Sequence, residues 1–366
     1  MQYAKVNYNR SFVQYACFQP KNRRKEMFAM IHVDSENADF DLQLDEINQS
    51  AKDFLSSSVA AGLQPFAARY FLSDVTNQSS SVRAKCPFEC AISTIGQPPL
   101  DGSKIALWVW LGEQSEAYKH YFDAGMISEN EGSFAQTSAI LEGYEQKLLQ
   151  RGLTIAENCV RTWLFVRDVD VNYAGVVKGR NANFDRNGLT KDTHYIASTG
   201  IEGRSESSEN LVSMDAYSVC GLKSGQMKYL YAKAYLNPTY EYGVTFERGA
   251  TVTYGDRKHL FISGTASIDN KGQVLHQGDV TRQSFRLWEN VYALLQEGGA
   301  DFSDLCYAIV YVRDMADYAT VERLFRHKFP DVPMVITLAP VCRPAWLVEM
   351  ECMAVTKDGD SQFADL

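Results

Sequence analysis

Two stretches of the sequence share the pattern that decides the fold, "CYAIVYVRDMAD" at residues 306–317 and "CVRTWLFVRDVD" at residues 159–170. Each is an apolar run of strand length that ends in Val-Arg-Asp, so residues 166–168 correspond to residues 312–314. A fainter third copy, "FAARYFLSDVTN", places residues 71–74 where residues 165–168 stand in the second copy. This recurrence indicates that one unit is repeated within the chain.

The segments around the last copy give the order of elements in the repeating unit. Their patterns predict a hairpin, an amphipathic helix, a strand, a second helix and a final strand, in "HLFISGTASIDNKGQVLHQGDV" (259–280), "TRQSFRLWENVYALLQEGG" (281–299), "CYAIVYVRDMAD" (306–317), "YATVERLFRHKF" (318–329) and "WLVEMECMAV" (346–355). The predicted order is therefore β-β-α-β-α-β. The middle third repeats it clearly and the first third weakly.

Three copies predict an α+β fold of three tandem units. One apolar sheet face per unit cannot be buried by that unit alone, so we expect the copies to close around a shared centre as an intrachain pseudo-trimer. The expected domains are residues 1–112, 113–222 and 240–366, with a linker at 223–239. Within this arrangement the first unit is the most degenerate.

Composition narrows the possible functions. The 366 residues are 45% hydrophobic, which is enough for large cores, and the net charge of -9 with little clustering of Lys and Arg argues against a nucleic-acid partner. The eight cysteines are scattered, and the single close pair, Cys86 and Cys90, lacks the further ligands of a metal site. Apolar runs are too short for a membrane span, and the first residues do not resemble a signal peptide. We therefore expect a cytoplasmic protein.

One predicted strand carries two acidic residues on one face. In "VCRPAWLVEMECMAV" (341–355), Glu349 and Glu351 point the same way, roughly 7 Å apart at about 3.3 Å per residue. Either a solvated sheet face or the lining of a site would explain this pattern. The matching strand of the middle unit, "NLVSMDAYSV", has Ser213 in place of Glu349 and Asp215 in place of Glu351.

The C-terminal unit resembles the RidA/YjgF (endoribonuclease L-PSP-like) family in "FISGTASIDNKG", "YVRD" and "CRPAWLVEMECMAV". Over roughly residues 100–356 the chain is similar to the chorismatase family, of the chorismate hydrolase and hydroxybenzoate synthase type, in the ordered motifs "RTWLFVRDVDV", "GRNANF", "ASTGIEG", "YGVTFERG", "SGTAS" and "VCRPAWLVEMEC". The resemblance implies chorismate-mutase-like domains with ligand sites in the clefts between them. The chain departs from the chorismatase pattern within residues 237–249.

The resemblance also implies particular roles. Glu349 is the expected catalytic acid, and its loss from the middle unit suggests a single working cleft. The expected substrate-binding residues are Arg343, Arg180, Arg248, Tyr242, Cys342 and Gly264. Arginines suit a dicarboxylate because a guanidinium binds a carboxylate at two points. Tyr242 would donate a hydrogen bond, and Gly264 and Cys342 would shape the pocket wall, although a cysteine here could equally be a small core residue.

The implied reaction is the release of pyruvate from chorismate by protonation of its enolpyruvyl ether, giving a hydroxybenzoate or a dihydroxycyclohexadiene carboxylate without a cofactor. Burial and the like charge of Glu351 would raise the pKa of Glu349, as an acid working near pH 7 requires. Two alternatives remain open, a RidA-type enamine/imine deaminase and a non-catalytic metabolite-binding protein. We expect a small carboxylate ligand and a chain that is a monomer or a weak dimer.

Overall fold

The computed structural model describes residues 1–34 and 39–366, which form three β-sheets with helices packed against them. The α+β class and the three tandem units predicted from the sequence are confirmed. None of the helices in these described ranges is long and apolar enough to span a bilayer.

The first sheet has the strand order β1-β2-β3-β6-β4-β5. Its elements are β1 (Gln2–Asn7), β2 (Ser11–Phe18), β3 (Glu26–Val33), α1 (Phe40–Ser56), β4 (Gln64–Leu72), α2 (Val75–Lys85), β5 (Ala91–Gly96) and β6 (Ile105–Gly112). The central strands β3 and β6 are buried along their whole length, because helices cover one face of the sheet and the other two domains cover the opposite face.

The second sheet is smaller, with the order β7-β10-β8-β9. Its elements are β7 (Lys119–Met126), α3 (Gly132–Gln150), α4 (Ile155–Asn158), β8 (Cys159–Val166), α5 (Val169–Arg186), β9 (Ala197–Glu202) and β10 (Val212–Cys220). Compared with the first sheet, it lacks the two outer strands that precede β3.

The third sheet repeats the topology of the first as β11-β12-β13-β16-β14-β15. Its elements are β11 (Met227–Leu230), β12 (Gly249–Thr253), β13 (Lys258–Ala266), α6 (Val280–Glu297), β14 (Leu305–Val312), α7 (Tyr318–Lys328), β15 (Met334–Leu338) and β16 (Val348–Thr356). Short 3-10 helices lie at Thr239–Tyr242, Phe302–Asp304 and Met315–Asp317.

Three details differ from the sequence prediction. Each unit has a strand between the second helix and the final strand that the predicted order lacks: β5, β9 or β15, which pairs in parallel with the strand before the second helix. The prediction of a hairpin at 259–280 is wrong for its second strand. Strand β13 pairs instead with β12, and residues 267–279 form a turn that contains the Ile268–Val274 bridge. Residues 223–239, expected as a linker, contain β11, an edge strand paired with β12.

Three isolated β-bridges join the units in a ring. Gly96 at the end of β5 pairs with Arg204, Ile201 in β9 pairs with Val341, and Thr337 in β15 pairs with Pro99. In each bridge, the last parallel strand of one unit contacts the segment that follows the equivalent strand of another unit. This cyclic pattern is what a pseudo-threefold arrangement requires.

Aromatic side chains from all three units meet inside the ring. The ring centroids of Trp110 and Tyr217 lie 5.1 Å apart, and those of Tyr217 and Phe261 lie 5.4 Å apart. One continuous hydrophobic core contains these residues, while the first and second units each keep a second core between sheet and helices. The shared core buries the sheet faces that no single unit could cover.

Candidate active site

Strand β16 places Glu349 in the cleft between the second and third units. The strand lies between β13 and β14, and Glu349 stands opposite Ala266 and Tyr311. A bulge interrupts the β13–β16 pairing between Ile262 and Thr265. Gly264 lies in this bulge, where a Cβ would overlap the Glu349 carboxyl, so only glycine leaves room for the acid.

A cavity of about 340 Å³ opens beside Glu349. The structure brings together around it all seven residues singled out from the sequence: Arg180, Tyr242, Arg248, Gly264, Cys342, Arg343 and Glu349. Helix α5 and strand β9 of the second unit form one wall, and segments of the third unit form the other. The site therefore needs two units for its construction.

Arg180 is the most informative of the three arginines. It is 1% exposed, and its Nε and Nη2 atoms have no hydrogen-bond partner among residues 1–34 and 39–366. Its guanidinium lies 5.7 Å from the centre of the Phe246 ring. A buried guanidinium without an acceptor is unfavourable, so this geometry points to an anionic ligand.

The other two arginines are held in place by the chain. Arg248 Nη2 donates to the backbone oxygen and Oδ1 of Asn237, at 3.1 and 3.2 Å, while its buried Nε has no acceptor within the described ranges. The guanidinium of Arg343 lies between the rings of Tyr242 and Trp346, 4.4 and 4.7 Å from their centres. This stacking fixes its orientation at the edge of the cavity.

Glu349 is suited to act as an acid at neutral pH. It is 4% exposed. Burial, reinforced by the nearby charge of Glu351, raises the pKa of Glu349 to about 8, although Arg248 and Arg161 oppose the rise. The carboxyl group therefore keeps its proton at pH 7 while facing a cavity lined by cationic groups.

Glu351 has a different environment from Glu349, although both project from the same face of β16. Arg161 Nη2 donates to Glu351 Oε2 at 2.9 Å, and Trp163 Nε1 donates to Glu351 Oε1 at 2.7 Å. Glu351 is 1% exposed and does not line the cavity. The acidic face is thus buried rather than solvated: Glu349 lines the cavity, and Glu351 forms an ion pair with Arg161.

The equivalent positions in the other units do not carry a second acid. Ser213 stands opposite Phe165 in the second sheet, as Glu349 stands opposite Tyr311 in the third. In the first sheet the same position, opposite Phe71, is Ala106. The cleft between the second and third units is therefore where the acid and the arginines coincide.

Sequence reasoning missed the aromatic and small polar parts of the cavity wall. Tyr173, Ser198, Phe246 and Trp346 also line it. Burial raises the pKa of Tyr173 far above its usual range, so its hydroxyl remains protonated. Tyr173 is the first residue of the segment "YAGVVKGRNANF" and lies in α5. The periodicity of this segment did not show which of its side chains face the cavity.

Comparison with known proteins places the third unit in a family. The endoribonuclease L-PSP family model matches residues 251–356. A RutC family protein of Pyrococcus abyssi is 30% identical over 97 residues, which is 26% of this chain and 76% of that protein. The chain belongs to the RutC family.

Another RutC relative and a solved structure extend this comparison. The 3-aminoacrylate deaminase RutC of Acinetobacter baylyi is 26% identical over 72 residues, covering 20% of this chain and 57% of that enzyme. A crystal structure of a chorismatase superposes with a TM-score of 0.64 at 19% identity, covering 82% of this chain and 95% of the chorismatase. The likeness in fold therefore extends far beyond the single RutC family domain.

Proposed function

We propose that the protein is a chorismatase-like enzyme that releases pyruvate from chorismate, with Glu349 as the general acid. The observation that carries the proposal is that one cavity holds a buried carboxyl whose pKa is raised and a buried guanidinium whose Nε and Nη2 have no acceptor among residues 1–34 and 39–366. The fold shared with a chorismatase gives independent support.

The chemistry begins with proton transfer from Glu349 to the terminal vinyl carbon of the enolpyruvyl ether. The resulting oxocarbenium ion is attacked by an oxygen nucleophile, and when this is water, the hemiketal collapses to pyruvate and the ring alcohol. The proton released by the attacking water restores the acid. Arg180, Arg248 and Arg343 would hold the two substrate carboxylates, and Cys342 and Gly264 would limit the space beside the ring.

A RidA-type enamine/imine deaminase is the second candidate. The relationship to a 3-aminoacrylate deaminase favours it. In that reaction a cavity arginine would bind the carboxylate of the imine while water attacks the imine carbon. A protonated Glu349 would serve that reaction too, by giving its proton to the terminal carbon of the enamine as the imine forms; water then adds and ammonia leaves. The fold shared with a chorismatase over 82% of the chain, rather than the environment of Glu349, therefore favours the first candidate.

The two candidates are separated by incubating the protein with chorismate and measuring pyruvate with lactate dehydrogenase. Pyruvate release that depends on Glu349 supports the chorismatase-like function. No release from chorismate, together with hydrolysis of 2-aminoacrylate, supports the deaminase. Neither activity, with measurable binding of chorismate, supports a metabolite-binding protein.

A further inference from the structure

Arg161 of the second unit crosses the domain interface and donates three hydrogen bonds close to Glu349. It is 2% exposed. Its Nη2 donates to Thr199 Oγ1 at 2.7 Å and to Glu351 Oε2 at 2.9 Å, and its Nη1 donates to Ser263 Oγ at 3.2 Å. Arg161 does not line the cavity.

The three acceptors belong to segments that surround Glu349: the bulge in β13, the strand β16 itself, and β9, which contacts the bulge. Ser263 and Gly264 lie in the bulge against which the acid packs, and Gly264 N donates to Thr199 Oγ1 at 2.9 Å. Glu351 is two residues from Glu349 on β16. Arg161 is therefore hydrogen-bonded directly to Ser263 of the bulge and, through Thr199, to Gly264. It is also hydrogen-bonded to Glu351 on the strand that carries Glu349.

We propose that Arg161 is a positioning residue for Glu349, which fixes the bulge at residues 263–264 and so sets the location of the acid in the cavity. This inference rests on the proposed role of Glu349. A displacement of about 1 Å in a reacting group can lower a rate by about a hundredfold. The rigid, planar guanidinium suits this role because it directs hydrogen bonds to three separate acceptors at once.

The interface between the first and second units offers a matched control. Arg69 Nε and Nη2 donate to Asp215 at 3.2 and 2.7 Å, both residues are 1% exposed, and Gly125 N donates to the same carboxylate at 2.8 Å. Asp215 occupies the position of Glu351, but the position of Glu349 is Ser213. The Arg69–Asp215 ion pair is therefore as buried as the Arg161–Glu351 ion pair, but it has no neighbouring acid equivalent to Glu349.

The test compares Arg161→Lys, Thr199→Val and Arg69→Lys. Lysine keeps the charge beside Glu351 but cannot reach three acceptors in a fixed plane, and valine keeps the shape of Thr199 while removing its oxygen. For Arg161→Lys we expect kcat for pyruvate release to fall about 10- to 100-fold with KM changed less than threefold. Thr199→Val should also lower kcat. The Arg161→Lys/Thr199→Val double variant should lower kcat by less than the product of the two single-variant factors. Arg69→Lys should lower the melting temperature but leave kcat unchanged.

Unchanged kcat in both Arg161→Lys and Thr199→Val, or an equal loss in Arg69→Lys, would overturn the proposal. If Arg161→Lys does not fold, Thr199→Val alone decides. Should the wild-type protein release no pyruvate, the proposed function fails, and the Glu349 carboxyl signal in protein containing ¹³C-labelled glutamate, assigned with Glu349→Gln, decides the positioning role. A shift of that signal in Arg161→Lys and Thr199→Val but not in Arg69→Lys supports it, and an unchanged signal rejects it.

Discussion

Replacing Glu349 with Gln removes the proton that the proposed reaction uses and keeps the size of the side chain. Because the pKa of Glu349 is raised to about 8 from the ordinary 4.5, the carboxyl is neutral at pH 6, as the amide would be. The variant should therefore fold normally and bind substrate at that pH. Loss of a general acid typically lowers a rate by about a hundred- to ten-thousand-fold, which is the expected fall in kcat.

The same replacement has a predictable effect on stability. A carboxyl whose pKa is higher in the folded chain than in the unfolded chain binds more protons when folded, so its contribution to the free energy of unfolding falls as pH rises. Relative to Glu349→Gln, the wild type should lose about 1.4 kcal/mol per pH unit between pH 5 and 8, and about 4 kcal/mol in total by pH 9. Urea unfolding of both proteins across this range measures the difference.

Two results would refute this reasoning. If Glu349→Gln keeps turnover within threefold of wild type, Glu349 is not the general acid. A stability difference that does not change between pH 5 and 9 would mean that the carboxyl is already ionised at pH 5, contrary to its burial beside Glu351. Ser213→Ala, at the matching position of the second unit, serves as the control and should change neither quantity.

Other replacements test the surroundings of the acid and the assembly. Glu351→Gln should retain most turnover at pH 6 but move the alkaline limit of kcat to lower pH, since it removes a charge that raises the pKa of Glu349; a pH–rate profile measures this. Gly264→Ala should abolish pyruvate release with unchanged circular dichroism, because its Cβ would overlap Glu349. Arg180→Met should raise KM about a hundredfold while raising the melting temperature of the ligand-free protein. Light scattering should give a mass of one or two chains, and a stable assembly of three would contradict a ring closed within one chain.

The sequence alone determined the repeat and the residues of the candidate site. Apolar runs ending in Val-Arg-Asp are local patterns, and the strands they predict, β8 and β14, are where the sequence placed them. Glycine at 264 and glutamate at 349 could also be singled out, because their residue types match a family motif. Such features can be read from the chain because they depend on neighbours in sequence.

Only the tertiary structure shows why the environments of Glu349 and Glu351 differ. The two acids share a strand face, so local pattern assigns them the same environment. Their difference comes from Arg161, 190 residues away in sequence, which pairs with Glu351 and leaves Glu349 facing the cavity. The missing outer strands of the second sheet and the contribution of residues 227–230 to the third sheet likewise became apparent only in the folded chain. Electrostatic environment depends on which charges the folded chain brings within a few ångströms, and in this protein those charges come from different domains.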